Sequence, residues 1–369
     1  MSIANDPIFV DQHIHHSGTV ADRRAAGKAL RKTVSRSSHA AWSPAADRPD
    51  LVSLLEEQNR IRQQHLVTLR FERMAASPFT FLRGTAVVMA GDLASTPVSG
   101  IQVQLCGDAH LNNFGIFATP ERNQVFDLND FDETLPGPWE WDVKRLAASI
   151  VIAGRNNGFS RKITGQAVVD CIASYRQRMW EYSEMRHLDV WYARIDYASS
   201  LATVSRSFRW WINQQRKKAT QRTHVELLPK LTQGASGQFM IKHDPPLISR
   251  IDDDELADKL SALVEEYRKT LREDRHVLLS RYRYVDVAHK VVGIGSVGTR
   301  CYVALLMGSE SNDPLFLQMK EAQASVYERY LGQSSYANHG ERVINGQRLM
   351  QASSGIFLGW TRLGSIDFY

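Results

Sequence analysis

The spacing of apolar and polar positions changes character several times along the chain. Between residues 51 and 76, "LVSLLEEQNRIRQQHLVTLRFERMAA" repeats apolar residues every three or four positions, which predicts helix. A Ser-Pro break follows, and "SPFTFLRGTAVVMAGDLAS" gives a mixed signal. "GIQVQLCGD" has the pattern of a short strand, and "NQVFDLNDFDETLPGPWEW" that of a strand, an acidic turn and a Pro/Gly stop. From "DVKRLAASIVIAGRNNG" to about residue 285 helical spacing dominates, with one strand pattern at "GQFMIKHD". The period then shortens. "HKVVGIGSVGTRCYVALLMG" predicts strand, glycine turn and strand, "DPLFLQMKEAQ" a further strand, and "ERVINGQRLMQAS" a helix. The class is α+β, in three segments: a basic arm over 1–60, a mostly helical region with a hairpin over 61–285, and a β region over 286–369.

Composition narrows this picture modestly. A chain of 369 residues that is 43% hydrophobic can bury a core and build two lobes. No run of 18 apolar residues predicts a membrane helix, and "MSIANDPIFVDQHIHHSGTV" lacks the charged and apolar regions of a signal peptide. Cys106, Cys171 and Cys301 are odd in number and far apart, which fits a reducing cytoplasm. A net charge of +5 suits anionic partners, and nucleotides, phosphates and nucleic acids all qualify.

The chemistry concentrates in "CGDAHLNNFG". Asp108 ends a strand, Asn113 follows five residues on, and Asp130 comes after a second strand. A strand–loop–strand hairpin brings the three together. Two carboxylates and an amide oxygen are hard ligands of the kind Mg²⁺ takes when phosphates complete its shell. One of the carboxylates can instead accept the proton of an attacking hydroxyl. These are parts of the phosphoryl-transfer template. The plain alternative is that Asp and Asn occupy turns because both tolerate turn backbones.

"GDAHLNN" resembles the G-D-x-H-x-x-N catalytic loop of the aminoglycoside and choline kinase branch of the protein-kinase-like superfamily. "LNDFDE" is similar to the I-D-F-D-D segment of that branch, and "WEWDVKRLAAS" to its later segment with a bracing Asp. The resemblance implies Asp108 as the base, His110 as the loop histidine, Asn113 and Asp130 as metal ligands and Asp142 as a structural brace. Cys106 stands where that branch usually has His. A longer likeness, from "RMAASPFTFLRGTA" through "GERVINGQRLMQASSGIFLGWTR", resembles the bacterial domain of unknown function 2252 family, which is grouped with the kinase-like fold.

Gly293, Gly295 and Gly298 have G-x-G-x-x-G spacing, a weak signal alone. A dinucleotide fold needs a helix after the glycines. "TRCYVALL" is strand-like instead, as in the kinase-type cover over nucleotide phosphates, with Ser296 inside the turn. A simple hairpin turn is the alternative. Lys320 ends the next strand pattern, where a kinase lysine would hold phosphates. Glu341 and Glu328 are both candidates for its acidic partner, with Glu341 placed in the nucleotide site.

These parts run in the opposite order to ordinary kinases, with the glycine turn about 180 residues after the catalytic loop. The expectation is therefore a circularly permuted, two-lobe protein-kinase-like fold with a C-terminal small lobe, incomplete relative to the family it resembles. The expected function is ATP- and Mg²⁺-dependent phosphotransfer to an unknown hydroxyl, on a small molecule or a protein. A weakly active nucleotide binder is one alternative. A nucleic-acid binder using "RRAAGKALRKTVSR" and "SRSFRWWINQQRKKATQR" is another. Those two stretches have an ordinary reading as solvated basic helix faces. "HIHH" lacks a second ligand cluster, and Arg83 is open between a phosphate and an internal carboxylate.

Overall fold

A computed structural model describes residues 18–197, 209–210, 213–214, 224–234, 239–251, 254–310 and 312–369. The "HIHH" tract and most of the Trp/Arg stretch lie outside the described residues. The architecture is α+β. Its strands in chain order are β1 (Gln102–Leu105), β2 (Phe114–Ala118), β3 (Gln124–Leu128), β4 (Leu135–Pro138), β5 (Ile195–Asp196), β6 (Thr232–Gln233), β7 (Met240–Ile241), β8 (Ile248–Arg250), β9 (Arg283–Lys290), β10 (Cys301–Met307), β11 (Pro314–Ala322), β12 (Thr361–Leu363) and β13 (Ile366–Phe368).

Two small pairings carry the acidic residues. β1 pairs antiparallel with β4, and β2 with β3, which in turn pairs with β5. The chain thus leaves β1, makes the 106–113 loop, runs through the β2–β3 hairpin and returns by the 129–134 turn into β4. Both connecting segments emerge at one end of the β1–β4 pair, because Leu105 stands opposite Leu135.

The C-terminal region forms a six-stranded antiparallel sheet in the order β12-β13-β11-β10-β9-β8. β10, "CYVALLM", is buried at every position. A strand covered on both faces reads as a continuous apolar run rather than an alternating one. The Asp254–Arg268 helix packs Leu260, Leu263 and Val264 against Val287, Tyr302, Leu306 and Phe368. The His339–Met350 helix lies between β11 and β12 in sequence and buries Val343 and Ile344.

The N-terminal region is helical. The stretch with a mixed signal folds as two helices, Pro78–Gly84 and Ala86–Ala94. Ser77 caps the first with a reciprocal bond to Thr80, and Pro78 sits at the first helical position, where a missing N–H costs nothing. The Leu51–Asn59 helix, grouped with the arm in the sequence reading, buries Leu54 and Leu55 and packs against Ala86–Ala94. The Val20–Thr33 helix buries none of its residues. No helix among the described residues is long and apolar enough to cross a membrane.

Candidate active site

One face of one helix holds the 106–113 loop. Asp142, Arg145 and Ser149 lie three and four residues apart on Trp139–Asn156, a spacing that stacks side chains on a single face. Asp142 accepts the N–H groups of Cys106 (2.7 Å) and Gly107 (3.0 Å). Fully buried Arg145 pairs with the Asp108 carboxylate, at 2.8 Å from Nε and 2.6 Å from Nη2, and donates to Leu82 O at 2.7 Å. Ser149 Oγ accepts the Leu111 N–H at 3.0 Å. Gly107 turns with φ +88°, and a Cβ there would lie 2.2 Å from Glu133 O. Only glycine fits a left-handed turn pressed against backbone.

His110 packs beneath this loop, with Nε2 3.6 Å from Asp108. Burial pushes its pKa down against the pull of Asp108, so the imidazole is neutral at pH 7. Cys106 is buried, and burial pushes its thiol well up, which makes it inert. Its sulfur bridges Asn113 Nδ2 (3.4 Å) and Asp130 O (3.5 Å).

Asn113 is buried and joins the two acidic segments. Its Nδ2 donates to Asp108 O (3.0 Å) and Asp130 O (2.9 Å). Two carbonyl partners fix the amide's orientation. Oδ1 is then left buried with no hydrogen-bond partner. Asn113 and Asp130 line the same cleft, and an unpartnered amide oxygen with a carboxylate is a donor set that hard cations take, so these residue types fit Mg²⁺. Among the described residues no group of three His, Cys, Asp or Glu side chains forms a ready-made metal cage. Mg²⁺ commonly needs only one or two carboxylates when phosphates supply the rest.

Across the cleft, β11 carries Lys320. Its ammonium lies 3.3 Å from Asp130 Oδ1 and 3.2 Å from Asp132 Oδ2, and 2.6 Å from the Tyr369 hydroxyl. Tyr369 also donates to Asp132. Desolvation first, and the charge of Asp132 second, push Asp130 up to about 6 against Lys320, although its side chain is half-exposed. Burial opposes ionisation of Asp132 as well, but Lys320 and Tyr369 outweigh it and hold that carboxyl below its usual range. Glu133 is pushed up to about 7 and Asp142 to about 6, both mainly by burial.

The expected glutamate partner of Lys320 is corrected. Neither Glu341 nor Glu328 is among the groups the ammonium contacts. Glu341 sits at the start of its helix, where its N–H donates to the Asn338 cap. Glu328 accepts the Ser325 N–H and lies 3.9 Å from Arg342. Asp132, in the turn between β3 and β4, takes the place, with its carboxylate 3.2 Å from the ammonium.

The glycine turn spans 291–300 between paired strands β9 and β10. Gly293 and Gly298 have φ +60° and +90°. Ser296 Oγ donates to Asp132 at 3.3 Å. The turn is held from outside: Arg62 donates to Val297 O (2.6 Å), the Gln63 N–H to Gly298 O (2.8 Å), and Arg73 to Gly293 O (3.2 Å). Gly293, Gly295, Ser296, Asp108, His110, Asn113, Asp130 and Asp132 line one cleft of about 240 Å³, together with Arg62 and Arg83. An apolar cavity of similar size lies behind Lys320, against Ile344, Phe357 and Phe368, and shares Asp130 with the cleft.

The sequence reading missed Asp132, Arg145, Tyr369 and Arg62. Arg145 had a signal, since it sits one turn after Asp142 on a helix. Arg62 had none, because its partner is 235 residues away.

Fold and site together define an α+β protein with an acidic hairpin and a lysine-bearing sheet on one cleft. Residues 62–369, well over half of the chain, match the family described as "Uncharacterized protein conserved in bacteria (DUF2252)". The chain belongs to that family. No curated protein and no solved structure matches it.

Proposed function

We propose that the protein is an ATP- and Mg²⁺-dependent phosphotransferase with a circularly permuted kinase-like arrangement. The single observation that carries this is the Lys320 ammonium, 3.3 Å from Asp130 and 3.2 Å from Asp132, two carboxylates that line one cleft with the glycine turn and Asp108. Glycine turn, lysine strand, helix, base loop and metal carboxylate are the parts of the phosphoryl-transfer template, and catalysis by that template is mostly positioning and charge stabilisation. The reversed sequence order is compatible with the proposed permutation, since Lys320 reaches Asp130 and Ser296 reaches Asp132 across 190 and 164 residues.

The geometry supports the following division of roles. Asn113 Oδ1 and Asp130 would hold the cation, which when bound neutralises charge on the phosphates. Asp108 receives the proton of the acceptor hydroxyl, and Arg145 fixes its orientation. Lys320 and the N–H groups of the glycine turn take phosphate oxygens. The 106–107 N–H groups bind Asp142, which keeps the loop in register with the helix below.

One observation favours a second reading, a nucleotide binder with slow turnover: the Asp108 carboxylate is already engaged by a buried guanidinium. One experiment serves both. At a hundred times its Kd, ATP with Mg²⁺ is expected to stabilise the protein by about 2.7 kcal/mol. Asp130→Ala removes that stabilisation. Asp108→Ala keeps it and lowers turnover by roughly 10²- to 10⁴-fold. Stabilisation without turnover selects the binder, and no stabilisation by any nucleotide ends both readings.

A further inference from the structure

The cations around the cleft divide into two kinds. Lys320 faces two carboxylates, Arg145 faces Asp108, and buried Arg342 donates to Asp132 O, Thr134 O and Gln323 O. Arg62 and Arg83 differ. Arg62 is 7% exposed, spends one nitrogen on Val297 O, and has a buried Nε with no partner. The half-buried Arg83 side chain, in the last turn of Pro78–Gly84, makes no hydrogen bond or ion pair among the described residues, and its Nε is also buried and unpartnered. No carboxylate lies within ion-pair distance of either guanidinium among the described residues. Both line the cleft that holds Asp108, Asn113 and Asp130.

Burying a guanidinium without a counter-ion is costly, and a fold normally supplies the anion itself. Here Glu133, Glu321 and Asp132 act on Arg62, and Asp108 and Asp130 on Arg83, only from beyond ion-pair distance, so no carboxylate closes either fork. The guanidinium presents paired N–H groups that match two oxygens of a phosphate. Burial pushes both guanidinium pKa values down, Arg62 to about 10, which leaves them charged at pH 7.

We infer that Arg62 and Arg83 form a phosphate subsite on the N-terminal wall of the cleft, bordering the glycine turn through the Arg62–Val297 bond and distinct from Lys320. The phosphoryl group could come from two sources: the terminal phosphate of the donor nucleotide, or a phosphate carried by the acceptor. Naming those sources rests on the phosphotransferase reading. The subsite itself does not, because it is argued from unpaired cations alone.

Inorganic phosphate titrated calorimetrically into the full chain without nucleotide tests the subsite directly. Arg83→Gln is the chosen variant, since Arg83 ties no other part of the fold, and thermal unfolding checks that it stays folded. Phosphate is expected to bind the wild type, at least tenfold more weakly to Arg83→Gln, and in between to Arg83→Lys, which keeps charge but not the fork. ATP and ADP with Mg²⁺ then separate the sources. If Arg83→Gln weakens ATP and leaves ADP unchanged, the donor's terminal phosphate occupies the subsite. If it leaves both unchanged but weakens phosphate binding to the ADP-loaded protein, the acceptor's phosphate does. The inference is overturned if phosphate fails to bind the wild type, or binds wild type and Arg83→Gln equally. Phosphate binding that persists in a chain with no affinity for ATP or ADP would uphold the subsite and remove the phosphotransferase reading.

Discussion

The 106–113 loop and the 291–300 turn line the same cleft but are held in opposite ways. The loop takes its supports from one helix, at separations of 35 to 38 residues, through a buried carboxylate, a buried guanidinium and a hydroxyl. The turn takes its supports from Arg62, Gln63 and Arg73, each more than 200 residues away, through single bonds to its carbonyls. The first is a unit that local chain geometry can assemble. The second exists only once the N-terminal helices have packed. Elements with few buried contacts open at lower free energy than the core. The loop side of the cleft is therefore expected to open at higher free energy than the turn side.

The strongest way to break this contrast is to cut the loop's ionic support. Arg145→Leu leaves the Asp108 carboxylate without its guanidinium and Leu82 O without its donor. Losing one partner of a buried ion pair costs about 3–5 kcal/mol. Urea unfolding should show a loss of that size. A loss below about 1 kcal/mol would mean that the loop is not held by this pair, and the distinction between the two sides would fall.

Glu133 gives the next effect, through pH. The folded chain keeps its proton to about pH 7, whereas the unfolded chain releases it near 4.5. Between those values the folded state binds more protons, so stability falls as pH rises. The contribution is fully present below about pH 4.5 and is lost as pH climbs through 7. A shift of that size corresponds to about 3 kcal/mol across the window. Asp142 and Asp130, both pushed up to about 6, add in the same direction. Glu133→Gln should flatten the slope of stability between pH 5 and 7, followed by urea midpoints. An unchanged slope would show that Glu133 ionises freely in the folded chain.

The turn answers to backbone geometry. Gly298 has φ +90°, and a Cβ there would sit 3.1 Å from the Arg62 side chain. Gly298→Ala should cost about 1–2 kcal/mol from the left-handed backbone. It should also weaken nucleotide binding more than Arg145→Leu does in whatever fraction of that variant remains folded. Equal nucleotide affinity in Gly298→Ala and wild type would argue that the turn does not touch phosphate.

The same contrast explains what could be read from the chain alone. Asp108, Asn113, Asp130 and Asp142 fall within 35 residues, so strand and helix periodicity brings them together without any knowledge of distant packing. The strand–glycine–strand pattern and Lys320 were legible for the same reason, as a hairpin followed by a neighbouring strand. The partner of Lys320 was not. Choosing between Glu341, Glu328 and Asp132 depends on how β11 meets the 129–134 turn, and nothing local encodes that meeting. The helices at 78–94 were obscured by β-branched and aromatic residues, whose weak helix preference is overridden by the Ser77 cap and burial of Leu82, Ala90 and Leu93. Arg62 was invisible because its role is to span the two regions.

The smallest effect sharpens the comparison most. Arg73 gives the turn one bond, to Gly293 O at 3.2 Å, in an exposed setting. A single solvent-exposed hydrogen bond contributes about 0.5–1 kcal/mol at most, so Arg73→Ala should leave global unfolding almost unmoved. Its effect belongs to local opening. Amide exchange in residues 291–300 should speed up by a few-fold, while exchange at 106–113 stays at the wild-type rate. If both segments speed up together, the loop and the turn open as one unit, and the idea that they are supported separately is wrong. If neither does, Arg62 and Gln63 hold the turn without help from Arg73.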